Sequence, residues 1–140
     1  MNPATLIKRN TMPSSIQCKN SDATSPPAGH YSHLSIANGF VMISGQLPIT
    51  ADGAHLANAS FEDQTRQVLL NLDRCLQTAG ISREQLVQVR VYVTDIGQWP
   101  LFNQLYSQWL GDHRPARAVA GVAQLHYGCA VEVEAMAVAA

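Results

Sequence analysis

Charge is scarce in this chain of 140 residues. Nine Lys or Arg and ten Asp or Glu make up 14% of it and leave a net charge of -1. A protein that grips nucleic acid through its phosphates needs a concentrated basic face. The densest basic cluster here is His113, Arg114 and Arg117, so no nucleic-acid partner is expected. Cysteine is also sparse: Cys18, Cys75 and Cys129 lie far apart and are odd in number. They make no disulfide framework, and a reducing, cytoplasmic setting suits them. No apolar run approaches the ~18 residues of a membrane span. The opening residues, MNPATLIKRN, lack the apolar core of a signal peptide, so no membrane partner is expected. Gly-rich phosphate loops, dinucleotide fingerprints and the Gly-x-Ser-x-Gly elbow are missing too.

What is present is enough for one domain with a proper core. Leu6 and Ile7 form a short apolar piece, read as an edge strand. Residues 13–29 are rich in Ser, Asn, Asp and Pro and read as a loop. Residues 31–36 and 40–45 read as strands joined by Asn38-Gly39, a strong hairpin signal. Residues 46–59 carry Gly, Pro and Asp-Gly breaks and read as loop. Ser60 is a good N-cap, followed by Glu62 and Asp63 in the first turn. Val68, Leu69, Leu72, Cys75, Leu76 and Ala79 then keep helical spacing until Gly80. Residues 87–94 alternate as a strand, with Val87, Val89, Val91 and Val93 on one face. Trp99 to Leu110 has helical spacing through Phe102, Leu105, Tyr106, Trp109 and Leu110, with Asn103 beside the stripe.

The last stretch holds the chemistry. Ala118 to Leu125 reads as a strand, Gly128 as a turn, and residues from Ala130 onward alternate cleanly. Val131, Val133, Ala135 and Ala137 share one face. Glu132, Glu134, Met136 and Val138 share the other, where carboxylates beside apolar groups suit a covered cleft or a subunit interface. Arg117 and Glu132 on neighbouring strands could hold and act on a small anion. The order strand, strand, helix, strand, helix, strand, strand predicts an α/β or α+β domain with both helices on one sheet face. The bare face, with Arg90, Tyr92, Glu132, Glu134 and Met136, predicts an oligomer.

Metal binding is not expected. His30 and His33 in an extended segment point to opposite faces, and His126 with Cys129 supplies too few ligands. A Cys nucleophile has no base placed beside it. The remaining candidates are Arg117, which can hold a carboxylate bidentately, and Glu132, which can position water. Tyr31, Ser44 and Asn103 can orient a substrate. Taken singly, each also has a structural reading; Ser44 at a strand end can simply satisfy a backbone group.

Together these pieces resemble the RidA (YjgF) family of reactive-intermediate enamine/imine deaminases. The resemblance rests on GHYSH at 29–33 with NGFVMISGQLP at 38–48, FEDQTRQVLLNLDRCLQTAG at 61–80, VRVYVTDIGQWPLFNQLY at 89–106, and RPARAVAGVAQL with VEVEAMAV across 114–138. It implies a chorismate-mutase-like α+β fold, a single domain over residues 28–140 after an N-terminal strand and loop at 1–27. Its mixed sheet would carry two helices on one face. It implies a homotrimer with clefts between subunits, and no metal or organic cofactor. The implied reaction is hydrolysis of 2-aminoacrylate and 2-imino acids to 2-keto acids and ammonia. Arg117 would bind the substrate carboxylate, Glu132 would activate water, and Tyr31, Ser44, Gly45 and Asn103 would line the pocket. The family's usual pattern is altered at His30, Val119 and His126, which puts the exact substrate in question. The competing expectations are a sensor of small carboxylates built on the same fold and a deaminase dedicated to one unusual imine.

Overall fold

The computed structural model describes residues 15–140, so the strand expected at Leu6 and Ile7 lies outside the described residues. Six strands form one sheet: β1 (Gln17–Lys19), β2 (Leu34–Ala37), β3 (Phe40–Gln46), β4 (Leu86–Val93), β5 (Ala116–Gly121) and β6 (Val131–Val138). Among the described residues two α-helices accompany the sheet, α1 (Phe61–Thr78) and α2 (Trp99–Leu110). The strand order is β1-β2-β3-β6-β4-β5. All neighbours are antiparallel except β4 and β5, which run parallel with α2 as their crossover. The mixed sheet with both helices on one side matches the expected architecture.

Local chemistry explains the element ends. Asn38 and Gly39 both have positive φ, 51° and 79°, as the two-residue turn between β2 and β3 requires. Ser60 Oγ accepts from the Asp63 amide at 3.1 Å and caps α1. At its other end the Gly80 amide donates to the Gln77 carbonyl and the Ile81 amide to the Leu76 carbonyl. That pair of bonds closes the helix through a left-handed glycine, φ 73°. α2 spans the very residues expected of it.

One face of the sheet is the core. Val41, Val89, Val93, Val131, Val133 and Ala137 are completely buried beneath Val68, Leu72, Cys75 and Phe102 of the helices. The other face has no helix over it. Met42 and Phe40, each 40% exposed, pair there with Met136 and Val138 across β3 and β6.

Three expectations change. Residues 13–29 are not all loop, because Gln17–Lys19 pairs with β2. Asn20 Oδ1 accepts from the His33 amide at 3.0 Å, and the Ser21 amide donates to His33 Nδ1 at 2.9 Å. Val87 does not share the buried face: the ladder shifts register between Leu86 and Gln88, so Leu86 is buried and Val87 exposed. The Arg114 to Val138 stretch is not a pair of adjacent strands. β5 ends at Gly121, and β4 lies between it and β6.

His33 is buried, and burial pulls its pKa below the ordinary imidazole value, with a backbone bond at Ser25 partly opposing. Protonating Nδ1 would also remove the acceptor for the Ser21 amide. A lowered folded-state pKa means that the unfolded chain binds the proton more readily, so stability is lost as pH falls through the ordinary value near 6.5. Residues 17–24 should therefore lose hydrogen-exchange protection between pH 7 and 5. His33→Gln should flatten that dependence.

Candidate active site

The expected site residues fall into two groups. Glu132, Tyr31, Ser44 and Gly45 line one cavity of about 340 Å³, together with Leu47, Ile49, His126 and Tyr127. Arg117 and Asn103 line another of about 460 Å³ with Tyr106, His113 and Arg114. Register explains the split. Glu132 is paired with Tyr92 on the bare face of the sheet. Arg117 is paired with Val89, whose side chain is in the core, so Arg117 points to the helix side. Within one chain the cation and the carboxylate are on opposite faces and do not meet, contrary to their expected placement on neighbouring strands.

The Glu132 cavity is built around an irregularity. Ile43 pairs with Ala135 and Gln46 with Val133, so Ser44 and Gly45 together oppose the single residue Glu134. Such bulges bend a strand and re-aim side chains. Gly45 leaves room here for the Glu132 carboxyl. A Cβ at this position would lie 2.5 Å from Glu132 Oε2 and 3.0 Å from its Cδ. Ser44 Oγ donates to the Ser32 carbonyl at 2.7 Å, so the hydroxyl satisfies a backbone group while also bordering the cavity. Tyr31 is half-exposed, and its hydroxyl accepts from the Ala28 amide at 3.3 Å.

The two glutamates of β6 are not equivalent. Tyr92 donates its hydroxyl to Glu134, and Arg90 approaches the same carboxylate at 3.9 Å. Among the described residues, Glu132 has neither a hydrogen bond nor an ion pair. Burial raises its pKa above the usual carboxylate value, and Glu134 adds to the rise, while His126 opposes it. A half-buried carboxyl with a raised pKa and open lone pairs can hold water and accept a proton.

Arg117 is held differently. Its Nη1 donates to Asn103 Oδ1 at 2.9 Å. Its guanidinium carbon lies 4.9 Å from the centre of the Tyr106 ring and 5.4 Å from that of Trp99. No carboxylate pairs with it among the described residues. Aromatic faces favour the cation without neutralising it, and most of its five donors stay open for an anion. Burial pushes the Tyr106 hydroxyl up to about 12, with the Arg117 charge opposing. That hydroxyl has no hydrogen-bond partner among the described residues.

Two further residues shape the site and were not singled out in the sequence. Asn71 Nδ2 donates to the carbonyls of Leu47 and Ile49 at 3.1 and 3.0 Å. Gln64 donates to the carbonyls of Ala57 and Ala59, and its Oε1 accepts from the Ala130 amide at 2.8 Å. Both are amides buried on the inner side of α1; Asn71 pins the Leu47 and Ile49 wall of the Glu132 cavity, and Gln64 ties the 57–59 loop to the residue leading into β6. Their signal is polar residues at helical spacing within an apolar stripe, Gln64, Val68, Asn71 and Cys75. Trp99, Asn103 and Tyr106 likewise share one helical face. Among the described residues, no group of three His, Cys, Asp or Glu is placed to hold a metal ion.

A mixed sheet with one bare face, a carboxyl on that face and an arginine on the other, neither paired among the described residues, describes a small binding or catalytic domain. The chain belongs to the endoribonuclease L-PSP family, the YjgF/RidA group, whose model matches residues 22–139. It is similar to the human 2-iminobutanoate/2-iminopropanoate deaminase, 31% identical over 119 residues, covering 84% of this chain and 87% of the relative. It is 38% identical over 114 residues to a RutC family protein of Aquifex aeolicus, covering 80% and 90% of the two. Among solved structures, a Rid family protein of unknown function from Yersinia pestis superposes with a TM-score of 0.85 at 32% identity, covering 89% and 99%. No helix among the described residues is long and apolar enough to cross a membrane.

Gly45→Ala should leave the fold intact, because the nearest atoms are the free end of a side chain, while displacing the Glu132 carboxyl. Glu132→Gln should raise the melting temperature at pH 7. With a folded-state pKa above the unfolded value, stability falls as pH rises through the raised pKa, and a neutral amide escapes that loss. The gap between variant and wild type should close towards pH 4. Thermal melts across that range read it directly.

Proposed function

We propose that this protein hydrolyses reactive 2-imino acids and their enamine tautomers to 2-keto acids and ammonia. The observation that carries this is the pair of complementary, unpaired groups on opposite faces of one chain: Arg117 between two aromatic rings, and the half-buried Glu132 with its raised pKa. The reading has support from the family and from the printed activity of the human relative.

Opposite faces cannot form one site within a chain, so the site is shared between copies. The Arg117 and Asn103 cavity of one protomer closes over the Tyr31, Ser44, Gly45 and Glu132 cavity of the next. The bare apolar face around Phe40, Met42, Met136 and Val138 gives the copies a surface to bury. A ring of three such protomers closes the arrangement.

Arg117 fixes the substrate carboxylate and orients the imine carbon towards Glu132. Glu132 holds a water and takes its proton as the oxygen adds to that carbon, forming the C–O bond of a carbinolamine. That proton passes to nitrogen as the C=N bond opens to the amine; the hydroxyl proton then follows by way of Glu132, the C–N bond breaks, ammonia leaves, and the carbonyl of the keto acid forms. Water supplies the oxygen and the protons, and no oxidant or reductant is consumed.

Arg117→Ala should lower kcat/KM for ammonia release from 2-iminopropanoate by about 10–100-fold, the loss expected of hydrogen bonds to a charged partner. Glu132→Gln should cost about 100–10,000-fold, the usual contribution of a positioned acid–base group. Mixing the two variants through dissociation and reassembly should restore about a quarter of wild-type activity, because random closed rings recreate that fraction of intact sites. A mixture no more active than its parts would overturn the shared site.

A further inference from the structure

The wall of the Glu132 cavity opposite Gly45 is strained and aromatic. Tyr127 sits in a short turn, His126–Gly128, just before β6, with φ 63° and ψ 15°. That is the left-handed region, which a bulky side chain enters at a cost of about 1–2 kcal/mol. Gly128 follows with φ 76°, so two successive residues turn the backbone this way. The Tyr127 ring is held by stacking on His55, with centroids 4.0 Å apart and planes at 29°. His55 is placed in turn by its bridge to Ile49, and Ile49 by the buried Asn71 amide. The ring remains 48% exposed, so this support does not serve to bury it. It lines the cavity beside Leu47 and Ile49 instead.

Backbone strain that persists around an incompletely buried aromatic ring marks a functional position. The cavity of about 340 Å³ belongs to a single chain and falls within the roughly 300–1,000 Å³ of pockets that take drug-sized ligands. Leu47, Ile49 and Tyr127 give this cavity an apolar portion beside its polar groups. We infer that Leu47, Ile49 and the Tyr127–His55 stack form a side-chain subsite that selects 2-imino acids bearing a large apolar or aromatic side chain. This rests on the deaminase reading above and adds the substrate class. Tyr127 is its specificity-determining residue, because it lines the same cavity as Glu132 and is held there by the turn and the His55 stack.

The test compares imines generated in place by an amino-acid oxidase from alanine, leucine and phenylalanine. The readout is the ratio of kcat/KM for the bulky imines over 2-iminopropanoate. Hydrophobic pockets discriminate by about tenfold or more per methylene, so the wild-type ratio should be at least about tenfold. Tyr127→Gly suits a positive φ and removes the wall, so the ratio should collapse towards one. Tyr127→Phe keeps the ring and should keep the ratio. A wild-type ratio near or below one, or a ratio unmoved by Tyr127→Gly, overturns the subsite while leaving the deaminase reading standing. Should no imine be hydrolysed, the deaminase reading fails, and direct binding of phenylpyruvate against pyruvate decides the subsite. Tighter phenylpyruvate binding that Tyr127→Gly abolishes sustains it as a pocket for bulky 2-oxo acids. Equal affinities overturn it.

Discussion

β6 is hydrogen-bonded along both edges, to β3 and to β4, and its side chains alternate without interruption. Val131, Val133, Ala135 and Ala137 turn inward and are buried against the helices. The two alanines leave room for α1 to approach the sheet. The same period of two forces Glu132, Glu134 and Met136 outward. Both helices are committed to the inner face, so among the described residues no helix covers this outer row. Glu134 finds partners across the strand in Tyr92 and Arg90. Glu132, the next residue on this face, has its carboxyl beside Gly45 of the bulge and has no partner among the described residues. The strand that builds the core therefore also isolates the carboxyl.

Holding that carboxyl's surroundings in place depends on polar groups inside the core. An amide buried without partners is costly, yet Gln64 and Asn71 both sit on the inner side of α1. Each is satisfied by loop carbonyls or by the amide leading into β6. These bonds fasten residues 47–49 and 57–59 to the helix, so the Leu47 and Ile49 wall of the cavity gains the rigidity of the core although it is irregular backbone. Apolar residues at 64 and 71 could fill the same volume, but they would leave those carbonyls unpaired. Apolar packing alone does not account for their presence.

The elements governed by local signals were legible in the sequence. The Asn38-Gly39 turn, the Ser60 cap, the Gly80 stop and the span of α2 each follow from residues within a few positions of one another. β6 was legible because its pattern is regular over eight residues. What escaped depends on pairing at a distance. Nothing near Arg117 or Glu132 indicates that β4 inserts between their strands, or that their registers on β4, against Val89 and Tyr92, put the two side chains on opposite faces. The register shift at Leu86 exposes Val87 although Val87 fits the alternation. Gln17–Lys19 lacks strong strand character and is a strand because β2 offers it an edge. The sequence offered candidate site residues, but not their grouping into two cavities. Tyr127 gave no sign either, since its importance lies in a φ value that its type disfavours.

The separation of Arg117 from Glu132 has its own physical logic. On adjacent strands and one face, a guanidinium and a carboxylate would form an ion pair. Each would spend its hydrogen bonds on the other, and the pair would pull the Glu pKa down rather than let burial raise it. A substrate carboxylate would then have to displace an internal competitor. With the sheet between them, Arg117 rests against the Tyr106 and Trp99 rings, and Glu132 stays in a half-buried cavity with its pKa raised. Neither arrangement satisfies the group fully, and Tyr106 keeps an unpartnered hydroxyl beside the arginine. Such unmet polar capacity lowers the stability of an isolated chain. It also gives an anion, or a second protomer, something to gain by binding, which is how a protein with so little charge can still present two charged groups ready for use.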